Sequence, residues 1–460
     1  MRSLLIFLLS LSQFSPIFSQ AEKTNLIFIL ADDLGYGDLA SYGHPIIRTP
    51  ALDQLAREGV SFTQFYSPSP LCSPSRAAMM TGRNPYRSGI KSWIPQGENV
   101  YLRKEEMGLG QVLKAAGYQT YAIGKWHLNG GLDDAKHPRP DEHGFEFWLL
   151  NHAFALPTHK NPDNFHKNGE ALGVVEGYSA QIVVDEAIEV LEKRDPEKPV
   201  FLYLPLNEPH TEIASPDEFN AKYASYTKGE IDLENLSDRG PGEYYANISH
   251  LDFQVGRLLK KLDELGMREN SLVIFTSDNG PVTTQWRHWW EVNMYGSTGG
   301  LRGRKADLFE GGIRVPCIIR FPGFTAENYV SDIPWHGYDL LPSICKVLGL
   351  EVPDDRPIDG EDMSVLWKGE SAEREKPMFW PFETRQFDDP EGYAYAIRDG
   401  NWKLITDLEL SKTLLYDLEN DPYEVRELSA QHPEVVKQLL DEIAEMIESI
   451  EFDPLRPKED

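Results

Sequence analysis

The sequence predicts an α/β protein with a large, mostly parallel sheet sandwiched by helices, followed by a smaller C-terminal antiparallel sheet with one helix. Two observations support this prediction. Short runs that are apolar throughout, each followed at once by a polar cluster, alternate with helical stretches, as in a parallel sheet buried on both faces. Beyond residue 352 the pattern changes to short strands separated by turns. The predicted domains are therefore 21–352 and 353–460.

Residues 1–20 are predicted to be a signal peptide, with Arg2, the apolar run Leu4–Leu11 and small residues near the end. An uncleaved anchor is the alternative. No other run of about 18 apolar residues occurs, so no stable membrane span is predicted. We therefore expect a secreted or periplasmic protein. Export permits a disulfide between Cys317 and Cys345, but two buried thiols are the prediction.

The overall charge excludes some classes of partner. The chain has 460 residues and a formal net charge of −28 at pH 7. Such an acidic protein is unsuited to binding nucleic acid or an anionic membrane surface. An anionic substrate would need a local positive pocket. This pocket is compatible with the acidic surface, because charges more than about 8–10 Å away are screened at physiological salt.

Four predicted strands end in polar side chains. The strands and the residues that follow them are Asn25–Leu30 with Asp32 and Asp33, Gln119–Ile123 with Lys125 and His127, Pro199–Leu206 with His210, and Ser271–Thr276 with Asp278 and Asn279. Ligands of such sheets bind beyond the carboxyl ends of the strands. The predicted helices between the strands are Thr49–Gly59, Gly110–Ala116, Ser179–Lys193 and Glu243–Leu265. The pattern predicts one site at this edge of the sheet.

Two of these strand ends offer hard oxygen ligands. Asp32 and Asp33 follow the first strand, and Asp278 and Asn279 follow the last of the four. Oxygen ligands without histidine or thiolate suit Ca²⁺, with Mg²⁺ as the alternative, rather than Zn²⁺. Each pair alone is also typical of a turn. Their occurrence together at two strand ends favours a metal site.

The stretch Leu71–Arg83 carries the most specific motif. Ser73 and the proline after it suit the start of a helix, and Gly82 suits its end. Cys72 is then predicted just before the helix N-terminus, with Arg76 in the first turn. Both features favour negative charge at the sulfur, which indicates a nucleophile that handles anions. A buried structural thiol is the alternative for a lone cysteine.

Cys72-Ser-Pro-Ser-Arg76, followed by Ala-Ala-Met-Met-Thr-Gly-Arg, resembles the signature of the formylglycine-dependent sulfatases. The context is similar to arylsulfatase-A-like and N-acetylgalactosamine-6-sulfatase-like members, which have the alkaline-phosphatase superfold. Gly-Lys-Trp-His-Leu at 124–128 matches the family's second signature. The resemblance implies that a maturation enzyme converts Cys72 to formylglycine, whose hydrate supplies the attacking oxygen. It also implies one divalent cation held by the two acidic pairs beside that residue.

The resemblance also implies roles for the basic residues. Lys125 and Lys305 would bind sulfate oxygens together with Arg76, and His127 would orient the hydrate or accept its proton. His210 would protonate the leaving oxygen. Around Lys305 the chain reads Gly-Arg-Lys-Ala-Asp, where family members often have Gly-Lys-Gly-Thr. The neighbouring basic residue that results from this difference, and that is predicted to contact substrate, is Arg304.

Tryptophans near these motifs are predicted to line a pocket for a sugar. Trp286 and Trp289 lie between the second acidic pair and Lys305, and Trp93 follows the signature helix. Aromatic faces stack on sugar rings, although ordinary packing is the alternative for a tryptophan. The activity that the resemblance implies is hydrolysis of a sulfate ester, and the predicted substrate is a sulfated carbohydrate.

Two other functions remain open from the sequence. One is a phosphatase or phosphodiesterase on the same superfold, because a fold does not determine a function. The other is a non-catalytic protein that binds sulfated glycans and whose Cys72 is never matured. The cysteine and the small number of histidines near the acids disfavour the first. Comparing the turnover of sulfate and phosphate esters distinguishes a phosphatase from a sulfatase. The mass of the Cys72 peptide shows whether the cysteine is matured, which a glycan-binding protein would not require.

Overall fold

The structure, a computed structural model, describes residues 24–133, 136–227, 240–282, 292–382 and 392–455. The predicted signal peptide at 1–20, and Trp286 and Trp289, lie outside these described residues. Across the described ranges, no helix combines the length and apolar character that a membrane span requires.

Strands β1–β15 and helices α1–α9 make up the regular structure of the described ranges. The strands are Asn25–Ala31, Val60–Tyr66, Gln119–Lys125, Phe147–Asn151, His166–Lys167, Glu170–Ala171, Val200–Pro205, Ser271–Ser277, Arg314–Arg320, Tyr329–Ser331, Trp335–His336, Met378–Pro381, Tyr393–Asp399, Trp402–Asp407 and Thr413–Asp417. The helices are Pro50–Arg57, Cys72–Thr81, Leu109–Ala115, Ser179–Lys193, Asp217–Lys222, Gly242–Glu264, Glu310–Ile313, Leu340–Leu348 and Pro433–Glu451.

The large sheet has the order β10-β2-β9-β8-β1-β7-β3-β4-β5-β6, with β11 beside β2. Its centre, β8-β1-β7-β3-β4, is parallel throughout. Alternate residues of β1 enter different apolar cores: Phe28 belongs to one cluster and Ile29 to the other. The sheet is therefore buried on both faces, which explains why its central strands are apolar throughout. The predicted mostly parallel sheet sandwiched by helices is confirmed.

The edges of the large sheet differ from the predicted parallel pattern. Strand β9 runs antiparallel to both β8 and β2, because an apolar run does not encode the direction of its strand. Strand β2, Val60–Tyr66, was not predicted, since polar residues interrupt its apolar pattern. The prediction of two buried thiols is confirmed, because Cys317 in β9 and Cys345 in α8 are both unpaired.

The smaller sheet is antiparallel, with the order β12-β13-β14-β15. Helix α9 packs its apolar side chains against this sheet, in a cluster that includes Leu439 and Ile443. Only β12 was not predicted. The indole N–H of Trp380 in β12 donates to the Ser67 carbonyl of the large domain at 2.8 Å. The predicted second sheet with one helix is confirmed, and the domain boundary at 352 stays a prediction.

A buried lysine links the two sheets. The Lys403 ammonium in β14 lies 2.9 Å from Glu310 in α7 and 2.8 Å from Glu424, and all three side chains are fully buried. Replacing this lysine removes the ammonium from both buried carboxylates and, among the described residues, leaves Glu310 with only the longer cationic contact of 3.4 Å to Arg314. We expect Lys403→Met to lower the free energy of unfolding by about 3–5 kcal/mol, measured by denaturant unfolding. The control is Lys437→Met, which removes an exposed ion pair with Asp441 and should change stability by less than about 0.5 kcal/mol. Equal effects of the two variants would contradict the argument.

Candidate active site

Helix α2 carries Cys72 to the carboxyl edge of the large sheet. Leu71 is extended and occupies the N-cap position, so Cys72 is the first residue of the helix, not the residue before it. The sequence had suggested that Ser73 caps the helix. Ser73 lies inside the first turn, however, and does not cap it. Its hydroxyl instead accepts the Ile94 N–H at 3.1 Å. Gly82, with φ of +68°, ends the helix as predicted.

Three aspartates surround the sulfur of Cys72. The sulfur lies 3.7 Å from Asp32 Oδ1 and 3.9 Å from Asp33 Oδ1. The ligand atoms of these residues and of Asp278 all lie within 4.8 Å of one another, and all are buried. Strand pairing brings the acids together, because the last residues of β1 and β8 are register partners. Asp33 has a φ of +64°, a left-handed conformation that aspartate tolerates better than most residues.

Three cations neutralise these acids. The Lys125 ammonium donates to both oxygens of Asp32 at 2.8 Å. Lys305 donates to both oxygens of Asp33 at 2.7 and 2.8 Å. The Arg76 guanidinium donates to Asp278 Oδ2 at 2.9 and 2.7 Å. All six side chains are buried or nearly so. The cluster is therefore a compensated set of buried charges, the condition under which such groups are tolerated.

Burial and the neighbouring charges shift the pKa values in this cluster. For Asp278, burial opposes ionisation, but Arg76 and the two lysines outweigh it and lower its pKa to about 2. Burial raises the pKa of the Cys72 thiol to about 12, although both lysines favour the thiolate. The thiol is therefore neutral at pH 7. For Lys305, the charge of Asp33 outweighs burial and raises the pKa, so this side chain stays cationic.

Two histidines lie beside the acids. His127 Nε2 is 3.2 Å from the Ile94 carbonyl and must donate to it, which leaves a lone pair on its buried Nδ1. His210 Nδ1 donates to the Thr211 carbonyl at 2.9 Å, and its Nε2 lies 3.7 Å from Asp33 Oδ2. Burial lowers the pKa of His210 to about 3 and that of His127 well below its ordinary value. Both rings are therefore neutral in the protein alone.

The oxygen atoms at the centre of the cluster fit a divalent cation. Asn279 donates its amide to Asp33 Oδ1 at 2.7 Å and to the Gly280 carbonyl at 2.9 Å. Its Oδ1 is buried and has no partner among the described residues. Three carboxylates and this unsatisfied amide oxygen form a donor set of the kind that Ca²⁺ and Mg²⁺ prefer.

The predicted substrate contacts Arg304 and Trp93 lie in different surroundings. Arg304 does not join the cluster: its guanidinium donates to the backbone carbonyls of Val282 at 2.7 Å and Met294 at 3.0 Å. It therefore holds backbone in place, and a contact with substrate stays a prediction. Trp93 is 38% exposed. It precedes Ile94, whose N–H and carbonyl contact Ser73 and His127. Trp93 thus lies in a segment attached to the site.

Two site residues were missed by the sequence reasoning. The ring of His152 lies 5.5 Å from that of His127, edge to face, and the ring of Phe154 stacks on His210. Both follow β4, a strand that was not predicted. The apolar run at 147–150, followed at once by Asn151 and His152, repeats the pattern of the other strand ends. This pattern could have been used to predict β4 and the residues that follow it.

A family model described as Sulfatase matches residues 24–350. The chain belongs to the sulfatase family. It is therefore a sulfatase, an enzyme that hydrolyses sulfuric esters. A second family model, described as N-sulphoglucosamine sulphohydrolase, C-terminal, matches residues 304–449. That match covers the whole of the smaller sheet and all but the last two residues of helix α9.

Individual relatives agree with this assignment. The N-acetylgalactosamine-6-sulfatase of Mus musculus is 33% identical over 384 residues, which cover 78% of this chain and 69% of the relative. Arylsulfatase A of Bos taurus is 32% identical over 407 residues, which cover 83% of this chain and 75% of the relative. Among solved structures, Ps i-CgsB has a TM-score of 0.79 at 27% identity, with 93% of each chain covered. The sulfatase therefore shares most of its architecture with Ps i-CgsB.

Proposed function

We propose that this sulfatase hydrolyses a sulfate ester on a sulfated saccharide, with Cys72 converted to formylglycine. Residue 72, Asp32, Asp33, Asp278 and Asn279 would hold one divalent cation, Ca²⁺ or alternatively Mg²⁺. The observation that carries this proposal is the position of the Cys72 sulfur, 3.7 and 3.9 Å from two buried carboxylates. The overall reaction converts the ester and water to an alcohol and hydrogen sulfate.

The formylglycine, the cation and the basic side chains would have separate tasks. When present, the hydrated formylglycine supplies the oxygen that attacks sulfur, and the cation withdraws charge from that oxygen and the sulfate. An ammonium group has three N–H donors. Lys125 and Lys305 each direct bonds to two carboxylate oxygens, which leaves each with a donor for a sulfate oxygen. Such fixed donors stabilise the charge that develops during transfer.

The two histidines would move protons. His127 Nδ1 carries a lone pair and can accept a proton from the attacking group. His210 Nδ1 is engaged with the Thr211 carbonyl, so only its Nε2 can deliver a proton to the leaving oxygen. A bound sulfate ester adds negative charge next to this imidazole, which favours the imidazolium. We therefore infer that substrate binding itself raises the pKa of His210 and creates the acid.

The saccharide part of the proposal is supported by the relatives. One relative is named N-acetylgalactosamine-6-sulfatase, after a sugar. Ps i-CgsB was crystallised with k-i-k-neocarrahexaose. In this chain the half-exposed Trp93 is a platform on which a sugar ring could stack. Trp286, Trp289 and Arg304 stay proposed substrate contacts on the sequence argument alone.

The direct test is sulfate release by protein co-expressed with a formylglycine-generating enzyme. The substrates are sulfated glycosaminoglycan disaccharides, carrageenan and ulvan oligosaccharides, 4-nitrophenyl sulfate and 4-nitrophenyl phosphate. The intact mass of the Cys72 peptide reports the maturation. Sulfate release from a saccharide supports the proposal. Turnover of the phosphate ester alone would favour the phosphatase reading. No turnover of any ester, with an unmodified thiol at Cys72 after co-expression, would favour the glycan-binding reading.

Removal of the metal should abolish turnover. We expect dialysis against a chelator to lower kcat by more than about 100-fold and to lower the melting temperature, because a cation that binds the folded state stabilises it. Ca²⁺ added back should restore both, and Mg²⁺ serves as the matched comparison. The ion pairs with Lys125, Lys305 and Arg76 keep the aspartates compensated, so the fold should survive chelation. If metal analysis showed that the protein was free of metal and its activity was still complete, the assignment of the metal site would be wrong.

A further inference from the structure

The side chain of Phe154 lies against the imidazole of His210. The two ring centroids are 5.5 Å apart and the ring planes differ by only 16°, so the rings are nearly parallel. Phe154 is half-buried. Among the described residues, the apolar clusters that form the cores do not include it. The packing of a core therefore does not explain its ring.

One asparagine holds the backbone on which Phe154 sits. The side-chain amide of Asn164 donates to the Phe154 carbonyl at 2.8 Å. The oxygen of the same amide accepts the Leu156 N–H at 3.0 Å. These two bonds clasp the segment between Phe154 and Leu156, so the phenyl ring is presented from an anchored backbone.

His210 is thereby constrained in two independent ways. The bond from its Nδ1 to the Thr211 carbonyl restrains one edge of the imidazole, but a single hydrogen bond still allows the ring to tilt about it. The phenyl face of Phe154 supports the flat side of the ring and opposes that tilt. Together they direct Nε2 toward the acidic cluster, 3.7 Å from Asp33 Oδ2.

We propose that Phe154 is a positioning residue that holds His210 Nε2 where it protonates the leaving oxygen. This inference rests on the proposed function. In that step the oxygen that residue 72 would supply forms a new S–O bond as the ester S–O bond breaks. The electron pair of the broken bond goes to the leaving oxygen, and the Nε2 proton goes to the same oxygen. The sulfuryl group would thus remain on residue 72, and the other products are a neutral alcohol and a neutral imidazole.

A series of aryl sulfates tests this role without knowledge of the natural sugar. The 4-nitrophenolate ion is a weak base and needs little help from an acid, whereas 4-methoxyphenolate is a stronger base and needs more. We expect Phe154→Ala to lower kcat by less than about threefold for 4-nitrophenyl sulfate and by about 10- to 30-fold for 4-methoxyphenyl sulfate, because a displaced acid loses only its own contribution. KM should change little.

Three further variants separate positioning from general damage. Phe154→Leu keeps an apolar side chain but has no flat face, so it should behave like Phe154→Ala. Phe154→Tyr keeps the flat ring and should retain the activity of the wild type. Phe452→Ala removes a ring beyond helix α9 that is 77% exposed, and it should leave kcat unchanged for both aryl sulfates. In the background of His210→Ala, the change Phe154→Ala should cause no additional loss, since both act on one proton transfer.

The outcomes distinguish this inference from the function on which it rests. Equal losses on both aryl sulfates, wild-type activity of the alanine and leucine variants, or additive losses with His210→Ala would overturn the role of Phe154 and leave the sulfatase mechanism standing. Failure of the matured wild type to release sulfate from any ester would overturn the proposed function together with this inference.

Discussion

The Cys72→Ala variant is expected to lose sulfate release by at least about 10⁴-fold while keeping its fold. In the proposed maturation the Cβ of Cys72 loses its sulfur and becomes the aldehyde carbon, whose hydrate supplies the attacking oxygen. The methyl group of alanine cannot undergo this conversion. The sulfur makes long contacts of 3.7 and 3.9 Å with Asp32 and Asp33, so its removal breaks no strong bond. The measurement is sulfate release beside a thermal melt of each protein.

The chain offers matched controls for this variant. Cys317 and Cys345 are equally buried unpaired thiols in β9 and α8. Cys345→Ala removes the same atom from an apolar core and should cost about 1 kcal/mol of stability with full maturation and activity retained. Undiminished sulfate release by Cys72→Ala would remove the nucleophile from the mechanism. A shared loss in Cys345→Ala would point to stability instead.

The Lys305→Ala variant is expected to lower kcat/KM by about 10²- to 10³-fold with unchanged metal content. The Lys305 ammonium contacts the carboxylate of Asp33 at 2.7 and 2.8 Å. We propose that it binds sulfate oxygens and is not needed to keep the metal site intact. Removing the lysine charge beside a carboxylate that is proposed to bind the metal does not weaken the attraction of that site for a divalent ion. Kinetics and elemental metal analysis of the same sample therefore separate the two roles.

Two companion variants sharpen the result. Lys305→Arg keeps the charge but changes the donor geometry, and it should recover only part of the activity. Lys437→Ala removes an exposed lysine on α9 and should leave kcat/KM unchanged. If Lys305→Ala lost its metal along with its activity, the lysine would be a structural support of the metal site. If it kept full activity, the assignment to sulfate binding would be wrong.

Local sequence patterns predicted most of the core. Strands β1, β3, β7 and β8 were predicted within about two residues, because a strand buried on both faces must be apolar along its length. Direction was not predictable: β9 has the same apolar pattern but runs antiparallel. The start of α2 differed by two residues, because the N-cap position is occupied by Leu71, which has no capping side chain, and not by Ser73.

The sequence by itself determined the family, the strand ends that carry Asp32, Lys125 and Asp278, and the presence of Cys72 at a helix start. These depend on neighbouring residues. Only the tertiary structure decided that Lys125 pairs with Asp32 and Lys305 with Asp33, and that Phe154 stacks on His210. Residues far apart in the chain meet according to strand order and loop path, which the local pattern does not encode. The geometry of the buried charges is therefore a property of the fold.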